Sequence, residues 1–327
     1  MITVKRIRTL PENFSEFVHE VAEGIGALYG ACAADSYRRS AARQIQLGMQ
    51  HLGVAFYGAF DGMDAAGMAT TVLRGSHGYV SFVHVLDRFA GGGVEAMLVQ
   101  SAVDDLRRAG AVAIVAENID FSRLDLEGVY GDLQFGRVDR LLMKAQTSDL
   151  VSGLTPGRGS IACLGTQYDE VAEVIYQAYL NHPGRDLHPE VQEIGSTREF
   201  VRLAAIGAFG VSEPSYVRIL RQGGRPAAAI VGCEAAPDTG FVLQVACVPA
   251  AQRKGMATRL LRDLAQEFAG KGLGSVVLGV TLSNPAKLLY EKLGFGTLRP
   301  VTAYVWWASP SADRQAGAEP ARLRTGE

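Results

Sequence analysis

The chain has 327 residues, of which 48% are hydrophobic and 20% charged, with a formal net charge of −2. It is long enough for two ordinary domains, each burying its own core, and the absence of a basic excess argues against nucleic-acid binding. Its four cysteines (Cys32, Cys163, Cys233 and Cys247) show neither CxxC nor Cys/His ligand spacing. They are therefore expected to be reduced thiols, with no disulfide frame and no metal.

The N-terminus lacks an apolar leader region, and no run of about 18 apolar residues exists to span a membrane. A cytoplasmic location is the default expectation. Apolar spacing then predicts helices near residues 14–28 and 37–47, followed by strands near 54–60, 66–73 and 79–86. The acidic residues Glu117, Asp120, Asp125 and Glu127 are expected in a solvated loop, although they would attract a cation if they faced a gap between domains. The polar, Gly-, Ser- and Thr-rich stretch 147–159 reads as a linker.

Beyond it, residues 168–180 have helical spacing, and the Ser196–Glu199 capping-box pattern predicts a helix from there to Ala208. Strands are expected at 216–220, 227–233 and 241–248. A helix over 256–269 turns Ala257, Leu260, Leu261, Leu264 and Phe268 to one face. A strand at 276–282 follows, then a short helix opened by Asn284-Pro285 and closed by Gly294. A last strand is expected at 304–307, and residues 309–327, without an apolar face, as a disordered tail. His182 and His188, on either side of Pro183 and Asp186, read as loop surface. Consecutive strands without intervening helices indicate a mixed α/β fold with a largely antiparallel sheet.

The two halves repeat. Val83–Gly110 aligns without gaps on Val245–Gly272, each reading as strand, glycine turn, helix and closing glycine. Tyr130–Gly136 (YGDLQFG) matches Tyr290–Gly296 (YEKLGFG) in the same order. This argues for a duplicated domain: an N-terminal copy over 1–146, a linker over 147–159 and a C-terminal copy over 160–308.

The informative turn is Gln252-Arg253-Lys254-Gly255-Met256-Ala257-Thr258, between a strand and an amphipathic helix. A helix N-terminus offers unpaired N–H groups and a positive dipole end. Gly255 and Ala257 allow close approach, and Arg253 and Lys254 add positive charge. Together they make a seat for a diphosphate.

This turn, behind Val-x-x-Val-Pro, resembles the Q/R-x-x-G-x-G/A motif of the GCN5-related N-acetyltransferase (GNAT) superfamily. Ala286-Lys-Leu-Leu-Tyr-Glu-Lys-Leu-Gly-Phe295 resembles the family's A-x-x-L-Y-x-x-x-G-F segment. The resemblance covers about residues 160–307 well and 1–145 faintly. It implies two tandem GNAT-like domains and acetyl-CoA, or another short acyl-CoA, as co-substrate, with no metal.

By the same resemblance, the acyl-CoA would lie in a V-shaped gap between the strands at 241–248 and 276–282. The main chain around Val245, Cys247 and Val248 would bond the pantetheine arm, with the Val245 amide as oxyanion donor. Tyr290 would be the general acid for the departing thiolate, and Asn284 would cap its helix and touch the CoA arm. Cys247 is expected to be a strand residue and not a nucleophile, since the amine attacks directly.

Two departures stand out. Ser283, not Asn284, has the family's usual spacing to the tyrosine. Phe241 and Leu243 occupy places where the family often has a Glu or His base, and Gln244 is too weak a base. The base is therefore left unassigned.

The N-terminal turn Ala90-Gly91-Gly92-Gly93-Val94-Glu95 lacks the basic residues and puts a carboxylate near any phosphate. Tandem members of the family such as mycothiol synthase pair a degenerate copy with a working one, and the layout here is similar. The expected function is transfer of an acetyl group from acetyl-CoA to a primary amine on a small molecule or peptide. The alternative is a non-catalytic acyl-CoA-binding protein acting through a protein partner.

Overall fold

Helical and β-branched stretches alternate so that one set of elements is laid down twice. The computed structural model describes residues 1–50, 53–117, 124, 126–152, 160–163, 165–182 and 184–308. The first half runs β1 (Ile2–Ile7), α1 (Phe14–Tyr29), α2 (Ala31–Gly48), β2 (Val54–Asp61), β3 (Asp64–Arg74), β4 (His77–Val85), α3 (Val94–Arg108), β5 (Ala113–Glu117), α4 (Glu127–Asp132) and β6 (Gly136–Gln146). After a short helix α5 (Thr147–Val151) come β7 (Ile161–Ala162), α6 (Tyr168–Tyr179), α7 (Ile194–Ala205), β8 (Val217–Gln222), β9 (Arg225–Ala236), β10 (Thr239–Cys247), α8 (Met256–Gly270), β11 (Ser275–Thr281), α9 (Ala286–Lys292) and β12 (Gly296–Trp307).

All the strands join one 12-stranded sheet in the order β1-β2-β3-β4-β5-β12-β6-β11-β10-β9-β8-β7. Every pairing is antiparallel except β4 with β5 and β10 with β11. The order discloses an exchange. The last strand of the first half, β6, pairs with β11 of the second, and the last strand of the second half, β12, pairs with β5 of the first. β6 and β12 then pair with each other across the join.

Side chains follow the backbone. Tyr304 and Trp306 of β12 pack into the first half's core, while Leu141, Met143 and Ala145 of β6 enter the core beneath α8. That core needs a close helix. Leu260, Leu261, Leu264 and Phe268 of α8 are fully buried, and the glycines of the sheet below admit them. A Cβ on Gly240 would lie 2.3 Å from the Phe268 ring and one on Gly232 2.8 Å from Leu264, so both positions must be side-chain-free.

Three sequence expectations need correction. The stretch read as a linker begins as α5, with Leu150 fully buried and the Thr147 hydroxyl donating to the Leu273 carbonyl (2.9 Å); residues 153–159 lie outside the described residues, as does the expected tail, 309–327. Helix α7 starts at Ile194, ahead of the Ser196–Glu199 pattern, and no capping-box bond forms. Thr197 Oγ1 instead donates back to the Glu193 carbonyl (3.1 Å). Strands β1, β5 and β6 were not anticipated.

Candidate active site

The site begins where two parallel strands part. β10 pairs with β11 only from Thr239–Ser275 to Val242–Leu278. Leu243 is then an unpaired bulge residue against β9, and beyond it β10 stays with β9 while β11 stays with β6. A V-shaped gap opens between the diverging ends. The hydrogen-bond parity of β10 follows from Val248, whose N–H donates to the Ala227 carbonyl (2.9 Å). In an antiparallel ladder alternate residues face the partner, so Ala246 and Gln244 turn their main chain to β9, and Val245 and Cys247 turn theirs to the gap.

Val248 departs from expectation: its N–H is taken by Ala227, and its carbonyl accepts from Ala251 N–H (2.8 Å). It has no main-chain N–H left for a ligand.

Past Val248 the chain makes a 3-10 turn over Pro249–Ala251 and enters α8 through Gly255, which has left-handed φ 77°. Arg253 also sits left-handed, at φ 57°. The first hydrogen bond across the helix start runs from Arg259 N–H to the Gly255 carbonyl (3.0 Å), so Met256, Ala257 and Thr258 precede it with amides that have no carbonyl inside the helix to meet. Ala257 N–H is directed at the Cys247 thiol, a contact that draws the thiol down, although burial has the larger effect and leaves it raised to about 11. Gln252 Nε2 donates to the Cys247 carbonyl (3.4 Å) and Lys254 Nζ to Gln222 Oε1 (3.3 Å).

Tyr290, on α9, is buried. Burial, with a smaller contribution from nearby Cys247, raises its phenol to about 12, so it remains a protonated donor at neutral pH. Asn284 Oδ1 accepts from the N–H of Ala286 (2.9 Å), the first residue of α9, while Pro285 and not Asn284 stands in the cap position.

A polar cluster at the mouth of the gap was not assembled from the sequence. Gln244, the first paired residue beyond the bulge, accepts from the Tyr179 hydroxyl (3.0 Å) and donates to Glu190 Oε1 (3.1 Å). His188 Nδ1 lies 3.0 Å from the same Glu190 oxygen. From the first half, the Tyr79 hydroxyl reaches Glu190 Oε2 at 3.5 Å. His188 and Glu190 are 18% and 16% exposed, so His188 is not the surface residue it seemed; His182 is half-buried too, beside Tyr179 at 5.0 Å between ring centroids. Burial pushes the Glu190 carboxyl up, yet the charge and hydrogen bond of His188, the residue's own amide and Gln244 together hold it below its ordinary value.

Of the acidic run, Glu117 accepts from Arg140 Nη1 (2.5 Å) and Glu127 from Arg137 Nη1 (2.5 Å); Asp120 and Asp125 lie outside the described residues, as does Pro183. Among the described residues no group of three or more His, Cys, Asp or Glu side chains could hold a metal ion, and no helix is long and apolar enough to cross a membrane.

The first half repeats the framework with other contents. β4 parts from β5 after Val80–Ala116, with Ser81 as its bulge. Leu86 N–H donates to the Ala66 carbonyl (3.0 Å), and Gly93 opens α3 at φ 77°. In place of small Ala246 stands His84, buried, paired with Glu20 (2.8 Å) and flanked by the rings of Phe17 and Phe82. At the turn, Glu95 Oε2 is buried with no hydrogen-bond partner among the described residues. Tyr130, the counterpart of Tyr290, is fully buried and stacked on Tyr304 with ring centroids 4.6 Å apart.

Parallel strands that splay at a bulge, then a left-handed turn and a helix, recur in known proteins. Residues 179–295 match the Acetyltransferase (GNAT) family. A GCN5-related N-acetyltransferase from Sphaerobacter thermophilus is similar over 95% of this chain and 96% of its own, with a TM-score of 0.59 and 16% identity. A tandem GNAT protein from the clavulanic acid biosynthesis pathway is similar over 95% of this chain and all (100%) of its own, with a TM-score of 0.62 and 11% identity. The GCN5-related glucosamine N-acetyltransferase region of a fungal multi-domain GH3 β-N-acetylglucosaminidase is similar over 94% of this chain and 38% of that one, with a TM-score of 0.64 and 13% identity. No curated protein matches in sequence. The chain as a whole has the tandem GNAT fold, and the match to the GNAT acetyltransferase family lies within its C-terminal half.

Proposed function

We propose that the chain is an acyl-CoA-dependent N-acyltransferase whose C-terminal half passes an acetyl group from acetyl-CoA to a primary amine. The observation that carries this reading is the outward main chain of Val245 and Cys247 in the gap, beside the helix-start amides of the Gly255 turn, which meet no carbonyl inside the helix. A diphosphate seated on Met256–Thr258, with Arg253 and Lys254 alongside, would run the pantetheine arm up β10. The thioester carbonyl would then meet the Val245 N–H, which gains strength as charge builds on that oxygen in the tetrahedral transition state.

The amine attacks the carbonyl carbon directly, so alignment supplies much of the acceleration. As the C–S bond breaks, the Tyr290 phenol gives its proton to the thiolate. Cys247 is unsuited to be a nucleophile, since a thiol raised to about 11 is almost wholly protonated at neutral pH. The first half, with His84 between two rings and the Glu95 carboxylate at its phosphate seat, serves as scaffold and as one wall of the acceptor space.

The test is release of CoA thiol across a panel of amines, alongside calorimetry with acetyl-CoA. Binding with thiol release is expected, and Tyr290→Phe should lower kcat about 100-fold or more while leaving acetyl-CoA affinity in place. Binding without release for any amine would favour the non-catalytic reading. Neither binding nor release would end both.

A further inference from the structure

The strand that usually supplies a base in this fold carries only Phe241, Leu243 and Gln244 here, yet the residues gathered on Gln244 suit that task. Glu190 Oε1 accepts from Gln244 Nε2 (3.1 Å) and faces His188 Nδ1 at 3.0 Å. A carboxylate only accepts, so the imidazole hydrogen belongs on Nδ1. Nε2 then carries the lone pair, and among the described residues it has no hydrogen-bond partner. The ring stands edge-on to Tyr179, centroids 5.1 Å apart, which fixes its plane. Tyr79, on β4 of the other half, closes the far side of the carboxylate at 3.5 Å.

We propose that His188 Nε2 is the general base of the acyl transfer, oriented by Glu190, and that the N-terminal half takes part through Tyr79. The proposal rests on the acyltransferase reading above. Nitrogen attacks the thioester carbon and forms the C–N bond. Nε2 takes the proton that nitrogen sheds, the C–S bond breaks, and the leaving thiolate takes the Tyr290 proton. His188 then loses its proton to water and Tyr290 regains one, so amine and thioester become amide and thiol with nothing left over. Glu190 and Tyr79 are positioning residues. A carboxylate held ionised by its donors keeps the imidazole in one tautomer and steadies the imidazolium.

The titratable groups packed around His188 are Glu190 on its own loop and His182 and Tyr179 at the end of α6, with Tyr79 of β4 behind Glu190. Arg140 and Tyr290 act on Tyr179, and Arg74 on Tyr79. The Arg185 guanidinium is engaged by the Leu180 and Gln192 carbonyls.

The experiment is a pH profile of kcat/KM for the full chain, with acetyl-CoA affinity and thermal melting measured on every variant. The wild type should show an acidic limb. His188→Gln should lower kcat about 100-fold and abolish the limb, with acetyl-CoA affinity unchanged. Glu190→Gln should keep a limb but move it to lower pH, because the imidazolium loses its counter-charge. Tyr79→Phe should lower kcat roughly fivefold, the equivalent of one ordinary hydrogen bond. Should His188→Gln melt early, His188→Asn carries the same test.

A wild type that binds and turns over, with the limb intact in His188→Gln, overturns the dyad alone. A Tyr79→Phe rate equal to wild type removes the N-terminal half from it. A wild type that neither binds acetyl-CoA nor releases thiol defeats the underlying acyltransferase reading instead.

Discussion

Arg253 and Gln134 are the non-glycine residues with left-handed backbone among those described, at φ 57° and 64°. Their counterparts in the other copy, Gly91 at φ 75° and Gly294 at φ 92°, are glycines. Each copy therefore keeps the same bend with or without glycine, so the surrounding fold imposes the conformation. A side chain in that region costs about 1–2 kcal/mol, which at Gln134 has no evident return. At Arg253 the return is a guanidinium beside the proposed diphosphate seat. Arg253→Gly is accordingly expected to leave stability nearly unchanged, the relieved strain offsetting the added freedom of the unfolded chain. It should weaken acetyl-CoA binding by about tenfold or more, the size of a charge-assisted hydrogen bond. Paired melting and calorimetry check both halves of this expectation, and an unchanged affinity would mean that Arg253 does not meet the phosphates.

At the scale of elements, the turn-and-helix pieces were legible because their signals are local: glycines, an Asn-Pro pair, an apolar stripe on α8. The cluster on the segment between α6 and α7 was not. It joins residues from β4, α6, that segment and β10, and no pattern within one segment shows that Tyr79 and Glu190 will meet. Gln244 was seen and dismissed as a base, when its use is to dock one.

The same segment carries a pH dependence. Burial, and then the charge of His188, lower the His182 pKa below 6.5, and burial does the same to His77. The unfolded chain then takes up these protons first, so stability is full above about pH 6.5 and falls as pH drops through the folded values. Glu190, whose folded value also lies below its ordinary 4.5, adds a second loss from about pH 4.5 downward. Urea midpoints measured from pH 8 to pH 3.5 should be level above neutrality and decline in two stages. His182→Gln should flatten the first; an equally steep decline in that variant would rule His182 out as its source.

For the whole molecule, the duplication and the largely antiparallel mixed sheet could be read from the chain, but the exchange of β6 and β12 could not. Alternating apolar residues say that a strand is half-buried, and nothing in them names its neighbour. The exchange predicts that the halves unfold together. Both tryptophans of the chain, Trp306 and Trp307, lie on β12, where Trp306 sits under Arg107 (4.5 Å to the ring centroid) and Trp307 edge-on to His77. Their fluorescence reports the join, and far-UV circular dichroism reports every helix. The two denaturation curves should coincide within error; separate midpoints would show halves that stand alone.

A chain built this way behaves as a dimer made covalent by duplication. Its first copy can lose the means to hold a nucleotide and still not be shed, because deleting it strips β11 of its neighbour and leaves β12 with nowhere to lie. Chemistry and architecture are thus constrained separately in the first copy: its turn can change while β6, and the Tyr79 contact it lends to Glu190, are kept.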